Sequence, residues 1–474
     1  MMGIQPLVLW TDLLLFGLLG CMALAAWSAR GSEPMRAAWR RVGESGVGMT
    51  ALSLLMLFLT VGVLDSLHYR ERLAPTAGGP AAADARAQLS TEVRSALDAL
   101  AAPLRTRVEK TYSAPLAYQL FSRQTVEGPD GIQRREFPRL KFGGASVKYP
   151  EEDLSGDIVG RIGMGLAMAA VTWAVFAAVL VKGVAVSRRV PVGAAWRAIW
   201  RGKGGLAWRA VLATLGVMCL LIGPLAALAT EYHVFGTDKV GQDVLFLTLK
   251  SIRTALVIGT LTTLVTLPLA VVLGILAGYV GGWVDDAIQY IYTVLNSIPS
   301  VLLIAAAVLM MQVVIDTHPQ WFETAAERAD ARLLALCLIL GMTSWTGLCR
   351  LLRGETLKLR ELEYVQAARA FGVSTARILA RHVLPNLIHL VLIALVMDFS
   401  GLVLAEAVLS YVGIGVDPNT VSFGTMINAA RMELAREPMV WWSLMAAFLF
   451  MFVLVLAANL FADVVRDAFD PRAS

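Results

Sequence analysis

Long apolar runs recur along this 474-residue sequence, and no other feature restricts the fold as strongly. A bilayer core requires about 20 consecutive apolar residues for each spanning helix. Charge-free runs of that size occupy residues 45–64, 162–181, 210–230, 254–284, 287–315 and 438–462, and shorter runs occupy 13–29 and 333–349. A ninth run, 386–410, contains Asp398 and Glu406. The sequence therefore predicts an all-α polytopic membrane protein with about nine transmembrane helices.

The composition agrees with a membrane protein, since 57% of the residues are hydrophobic and 16% are charged. Asp12 lies where a signal peptide would have a positively charged region. The first run is therefore predicted to be a membrane helix that is not cleaved from the protein. The four cysteines lie within or beside the runs without paired spacing, which predicts neither a disulfide nor a metal site. The net charge of +5 comes from loops between runs, so no nucleic-acid partner is predicted.

Loop charges predict the orientation, because Lys and Arg are retained on the cytoplasmic side. The loop 182–209 is basic and contains no acidic residue, whereas the loop 316–332 is mainly acidic. The first is therefore predicted to be cytoplasmic and the second extracytoplasmic. Alternation then places 350–385 and the C-terminus in the cytoplasm, and the N-terminus of the first run outside.

One long polar stretch, residues 68–160, is predicted to lie outside the membrane as a small domain that acts as a cap or spacer. Within it, residues 90–110 have a helical pattern. The GPDG at 128–131 indicates a turn, and residues 135–142 favour a strand.

The segment ELEYVQAARAFGVSTARILARHVLPN, residues 361–386, is too polar to span and too regular for a linker. A stripe of small and aromatic residues shares one helix face, namely Tyr364, Ala367, Ala368 and Phe371. Gly372 can end this helix in a left-handed conformation, and Ser374 can cap a second helix that leads to Pro385. The pattern suits a groove on a partner protein and equally an interfacial helix on lipid.

This segment resembles the EAA loop of permease subunits in bacterial ABC importers. The family pattern is Glu-Ala-Ala, three residues, glycine, and about eleven residues to Leu-Pro. This sequence reads QAARAFG and then VLP, with Gln366 in the place of the family's glutamate and Glu363 nearby. Three more blocks resemble the dipeptide and oligopeptide branch in family order: HVFGTDKVGQDV at 233–244, AEAVLSYVGIGVDP at 405–418 and ANLFADVVRDAFDPR at 458–472.

The apolar runs and the polar stretch divide the first 204 residues into 1–67 with two spans, the domain 68–160, and a third span with its basic loop at 161–204. The resemblance implies that residues 205–474 form a type I importer permease domain of six helices. It implies contact with an ATPase through a coupling segment, here Glu363, Tyr364, Gln366, Ala367, Ala368, Phe371, Gly372 and Pro385. It also implies an extracytoplasmic motif, here Gly236, Thr237, Asp238, Gly241 and Asp243.

The same resemblance implies an assembly in the bacterial inner membrane. The partners would be a second permease subunit, two ATPase subunits and an extracytoplasmic substrate-binding protein, with membrane lipid around them. ATP would bind the partner subunits, since this sequence has no G-x-x-x-x-G-K-[ST] phosphate loop. The chain itself would hold no cofactor, metal or catalytic residue, and its substrate would be a peptide.

Asp398 and Glu406 are the candidates for the translocation path, because ionisable residues within a span usually face a cavity or a partner. Asp398 would lie near the substrate amino group. Glu406 has a second interpretation, in which it pairs across the subunit interface. Three alternatives remain for the whole chain: a permease for nickel or another small solute, a stand-alone secondary transporter, and a membrane-anchored sensor.

Overall fold

A computed structural model of the chain describes residues 4–29, 31, 33–72, 89–127, 133–202, 205–417 and 419–469. In these ranges, eight helices are long and apolar enough to cross a membrane: Gly46–Ser66, Glu152–Arg188, Trp208–Ala229, Val244–Val280, Ser300–Thr317, Ala325–Arg360, Thr375–Val412 and Trp442–Phe469. The remaining run, 13–29, lies in helix Trp10–Ala29. The prediction of an all-α polytopic membrane protein is confirmed.

The N-terminal part, up to residue 204, contains seven helices and five short strands in its described residues. The helices are α1 (Trp10–Ala29), α2 (Glu33–Glu44), α3 (Gly46–Ser66), α4 (Ala96–Leu100), α5 (Ala102–Thr106), α6 (Pro150–Arg188) and α7 (Val192–Trp200). The strands are β1 (Ile4–Leu7), β2 (His68–Arg72), β3 (Leu89–Ser95), β4 (Gln124–Glu127) and β5 (Gln133–Glu136).

The C-terminal part contains the remaining helices, which are α8 (Trp208–Ala229), α9 (Val244–Val280), α10 (Gly282–Ser297), α11 (Ser300–Thr317), α12 (Ala325–Ser344), α13 (Thr346–Arg360), α14 (Glu363–Ala370), α15 (Thr375–Ile378), α16 (Leu384–Val412), α17 (Phe423–Glu433) and α18 (Trp442–Phe469). A 3₁₀ turn covers Pro319–Trp321, and a π-helical turn, Leu379–Val383, joins α15 to α16.

Two spans have boundaries that differ from the apolar runs. Residues 254–280 of the run 254–284 lie in α9, which ends at Val280 and already begins at Val244, where the side chain of Asp243 accepts hydrogen bonds from the amides of Leu245 and Phe246. The run 287–315 is broken into α10 and α11 at Ile298 and Pro299. Proline has no amide hydrogen to donate and restricts the residue before it, so the helix ends there.

The polar stretch differs from its predicted helix. Residues 89–95 form strand β3, which pairs with β2, and only then do α4 and α5 follow. A capping box begins α4: the side chain of Ser95 accepts from the amide of Asp98, and the side chain of Asp98 accepts from the amide of Ser95. Strand β5 covers the start of the predicted strand at 135–142, and the predicted turn at 128–131 lies outside the described residues. Helix α6 begins at Pro150, ten residues before the predicted boundary at 160.

Strand β1 pairs with β2 in antiparallel register, with Leu7 opposite His68. Strand β1 therefore lies on the same side of the bundle as β2 and β3 of the polar stretch. Which side of the membrane this is stays a prediction from the loop charges.

Helix α9 lies at the centre of the bundle and contacts α3, α12, α13, α16 and α18. It approaches α13 closely because Gly274 and Gly278 occupy one face, four residues apart. A β-carbon at Gly274 would lie 2.8 Å from the carbonyl oxygen of Cys349, and one at Gly278 would lie 2.6 Å from Cβ of Thr356. The two helices are therefore packed backbone to backbone.

The N-terminal helices pack on this core through a buried charge cluster. Arg253 of α9 lies 2.6 Å from Asp12 of α1 and 3.8 Å from Asp330 of α12. Nδ1 of His68 lies 2.7 Å from the second carboxylate oxygen of Asp12. We call Asp12, His68, Arg253 and Asp330 the buried charge cluster. Arg253 and Asp330 lie in two of the eight spanning helices and Asp12 lies in the first turn of α1, so the cluster joins the N-terminal part to the core.

Candidate functional site

The segment 361–386 forms two short helices with a sharp bend between them. Helix α14 ends at Ala370, and Gly372 follows with φ of +73°. The amide of Gly372 donates to the carbonyl of Arg369, and the amide of Val373 donates to that of Ala368, at 3.0 and 3.1 Å. These two bonds form a Schellman motif, which requires the left-handed conformation that glycine adopts without steric cost.

The aromatic residues of the predicted stripe point away from the bundle. Phe371 is 87% exposed and Tyr364 is 45% exposed, and Ala367 is also exposed. Ala368 is partly buried and packs against the core. Phe371, Ala367 and part of Tyr364 therefore form an exposed apolar surface, whereas Ala368 lies on the buried side.

A second, buried face holds the segment on the bundle. Val365 is 1% exposed and packs in one cluster with Ile378 and Val383 and with residues of α9 and α13. None of these three residues is among the coupling residues predicted from the sequence. Each is a β-branched apolar residue in a segment rich in polar and charged residues, which is the signal that could have identified them.

The polar residues of the segment make local contacts. The side chain of Gln366 donates to the carbonyl of Glu361 at 3.2 Å, and Asn386 donates to the hydroxyl of Tyr364 at 3.1 Å. Glu363 lies in the first turn of α14, where the helix dipole favours a carboxylate. Pro385 lies in the first turn of α16, so the segment continues directly into that spanning helix.

The extracytoplasmic motif forms the loop between α8 and α9. Gly236 and Gly241 have φ of +68° and +83°. One carboxylate oxygen of Asp238 accepts from the amides of Val240 and Gln242 at 2.9 and 2.8 Å, which closes the turn. Asp243 begins α9 and accepts from the amide of Leu245 at 2.8 Å. The motif therefore fixes the start of the central helix.

The polar stretch lies directly on this motif. A β-carbon at Gly236 would lie 2.4 Å from the carbonyl oxygen of Ser113, and one at Gly241 would lie 1.9 Å from that of Glu109. The hydroxyl of Thr237, which is fully buried, accepts from the amide of Ser113 at 2.7 Å. Glycine is required at both positions for two reasons: a side chain would collide with the backbone of the polar stretch, and φ is positive.

A buried histidine joins the two parts. Nδ1 of His233 lies 2.7 Å from a carboxylate oxygen of Asp243, and Nε2 lies 3.6 Å from Glu109. Burial opposes the charged imidazolium, but the two carboxylates outweigh it and raise the pKa of His233 to about 9. Burial likewise opposes the Glu109 carboxylate, but His233 and the amides of Lys141 and Phe142 lower the pKa of Glu109 to about 2. Glu109 could not be found from the sequence, because it is 124 residues away from His233 and only the fold brings the two together.

The two acidic residues of α16 have different surroundings. Glu406 is 1% exposed, and one of its oxygens accepts from the hydroxyls of Ser410 and Ser422 at 2.6 and 2.8 Å. Glu406 is therefore hydrogen-bonded within its own chain, and its two predicted roles, on the translocation path or at the subunit interface, stay predictions. Asp398 is half-buried and makes no hydrogen bond or ion pair with any described residue.

Among the described residues, no group of His, Cys, Asp and Glu has the arrangement of a metal site. Pro418 of the block at 405–418 and residues 470–472 of the C-terminal block lie outside the described ranges.

Comparison with known proteins decides the family. The model of the family described as binding-protein-dependent transport system inner membrane component matches residues 270–474. The chain is 34% identical over 241 residues to the oligopeptide transport system permease protein OppC of Mycobacterium bovis, covering 51% of this chain and 76% of that protein. The chain belongs to the dipeptide and oligopeptide ABC permease family.

Two further relatives agree with this assignment. The dipeptide transport system permease protein DppC of Lactococcus lactis subsp. cremoris is 32% identical over 52% of this chain and 65% of its own length. The glutathione transport system permease protein GsiD of Pectobacterium atrosepticum is 32% identical over 51% of this chain and 73% of its own length. As a member of this family, the chain is a multi-pass permease subunit of an ABC importer.

Proposed function

We propose that this permease subunit imports peptides and that the segment 361–386 couples it to separate ATPase subunits in the cytoplasm. One observation carries the coupling role: an apolar face with Phe371 and Tyr364 is exposed on a short helix whose opposite face is buried. A short helix of this form suits a groove on a partner protein. The names of the relatives support the peptide substrate.

The packing of the segment explains how a partner would move the bundle. Val365 packs in the same cluster as Ala277 of α9 and Leu352 of α13. The backbone contact of α9 with α13 at Gly274 and Gly278 makes that pair of helices rigid. A displacement of α14 by closure of the ATPase subunits would therefore pass to α9, α13 and α16 as a rigid-body motion.

In this proposal ATP binds and is hydrolysed on two partner subunits, a second permease subunit completes the path, and an extracytoplasmic binding protein delivers the peptide. The C-terminus and the segment 361–386 face the cytoplasm. This chain contributes the path and the coupling contact and holds no cofactor.

Asp398 is the residue that we propose on the path. It is half-buried on α16 and has no partner among the described residues. A carboxylate in that setting can pair with the amino group of a passing peptide, because an unpaired ionisable residue within a span is costly. Helix α16 also begins at the coupling segment, so movement of the segment displaces Asp398.

Peptide uptake into proteoliposomes that contain the assembled importer tests the proposal. We expect ATP-dependent uptake of radiolabelled dipeptides or oligopeptides, strongly reduced by Asp398→Asn although the subunits still assemble. Asp153→Asn is the control, because that carboxylate is exposed in the first turn of α6, outside every block that resembles the family. Uptake of nickel or another small solute without peptide uptake would contradict the peptide assignment, and unchanged uptake by Asp398→Asn would remove Asp398 from the path.

A further inference from the structure

A groove of about 490 Å³ opens between the end of α6 and the start of α8, outside the coupling segment and the extracytoplasmic motif. Its apolar walls are Leu180 and Val184 near the end of α6, and Leu206 and Trp208 at the start of α8. Arg40 of α2 and Arg188 of α6 also line it. The groove therefore combines an apolar floor with two guanidinium groups.

The position of the groove identifies its surroundings. Helices α6 and α8 are both apolar spans, and the groove lies where they enter the basic loop 182–209. Trp208 lies at this boundary, where tryptophan is enriched because its ring is amphipathic. The apolar walls therefore face the region in which lipid headgroups meet acyl chains.

The charges around the groove favour an anionic occupant. Arg40 pairs through Nε with Glu44 at 2.8 Å, yet its side chain is 76% exposed. Lys182, Arg189 and Arg209 lie close by in the sequence, and the loop 182–209 has no acidic residue to neutralise them. The described residues that line the groove include two arginines and no acidic side chain.

We propose that this groove binds one anionic phospholipid, with its phosphate at Arg40 and Arg188 and its upper acyl chain along Leu180 and Val184. Basic pockets between spanning helices bind anionic headgroups in this way. Each Arg or Lys near the membrane surface strengthens such binding by about fivefold. Exposed Gly183 leaves room for the acyl chain, since no atom lies within 4 Å of a β-carbon built there.

Native mass spectrometry of the purified full-length chain, with dioleoyl phosphatidylglycerol or dioleoyl phosphatidylcholine added, tests this proposal. We expect one phosphatidylglycerol molecule to be retained and phosphatidylcholine to be lost. Arg40→Gln with Arg188→Gln should weaken phosphatidylglycerol binding by about 25-fold, the product of two fivefold losses. Arg36→Gln is the matched control, because it removes the same charge from α2 outside the groove.

A second pair of variants keeps the test independent of charge. Gly183→Leu fills the groove and should abolish retention, whereas Gly163→Leu should not. Gly163 lies on the same helix about 30 Å away, and a β-carbon there also meets no atom within 4 Å.

Three results would overturn the proposal. Equal retention of the two lipids would show that charge does not select the occupant. Equal weakening by Arg36→Gln would indicate a diffuse surface effect. Displacement of the lipid by millimolar inorganic phosphate alone would show that the groove holds a free anion and not a lipid.

Discussion

Replacement of Arg253 by methionine should strongly destabilise the chain, because Arg253 neutralises two buried carboxylates. It lies 2.6 Å from Asp12 and 3.8 Å from Asp330, and all three side chains are largely inaccessible. Removing one partner of a buried ion pair leaves uncompensated charge and costs about 3–5 kcal/mol. The exposed pair Arg40–Glu44 provides the matched control, since such pairs contribute about 0–1 kcal/mol. Arg40→Met should therefore change the free energy of unfolding little.

Thermal unfolding in detergent, followed by fluorescence-detected size-exclusion chromatography, compares these variants. We expect Arg253→Met to lower Tm by roughly 5 °C or more, since each kcal/mol shifts Tm by about 2–4 °C in a chain of 150–250 residues and by less in a longer one. Adding Asp12→Leu should cost less than the sum of the two single changes, with a coupling energy of about 0.5–3 kcal/mol. If Arg253→Met and Arg40→Met lower Tm equally, the buried charge cluster does not hold the N-terminal helices on the core.

Two further predictions concern His233 and Gly372. The pKa of His233 is raised from 6.5 to about 9, so the stability that its charge contributes is fully present below pH 6.5 and is lost as pH rises through 9. The Tm difference between wild type and His233→Gln should thus shrink from pH 6 to pH 10, and a constant difference would contradict the charged contact. Gly372→Ala should destabilise the chain by about 1–2 kcal/mol because φ is +73°. Gly354 lies within helix α13 without close neighbours, so Gly354→Ala should raise the free energy of unfolding by about 0.5–1 kcal/mol. Chemical denaturation measures both variants. If the two substitutions change the free energy of unfolding in the same direction, the backbone conformation of Gly372 is not the cause.

The features that could be predicted from the sequence are those set by local composition. The apolar runs are long enough that burial of their backbone in lipid requires a helix whatever the neighbouring structure. Gly372 and Pro385 likewise act on their own backbone, so their positions at the bend and at the start of α16 follow from the sequence.

The features that escaped prediction depend on distant residues. Residues 90–95 have a helical pattern, but pairing with strand β2 makes them a strand. Glu109 gains its role only because the fold brings it to His233. The sequence shows that Glu406 is a charged residue within a span, but it does not show that Ser422, at the start of α17, donates a hydrogen bond to it. Long-range contacts decide all three cases.

Photo-crosslinking at position 371 is the most direct test of the coupling role. A photoreactive phenylalanine analogue replaces Phe371, which is 87% exposed, and is activated in intact membranes that contain the whole importer. The control carries the analogue at Trp196, which is exposed in the basic loop predicted to lie on the same membrane side. We expect a crosslink from position 371 to an ATPase subunit with a phosphate loop, and none from position 196. Peptide transport by the purified chain alone, with no crosslink from position 371, would contradict the proposal that segment 361–386 couples this chain to ATPase subunits.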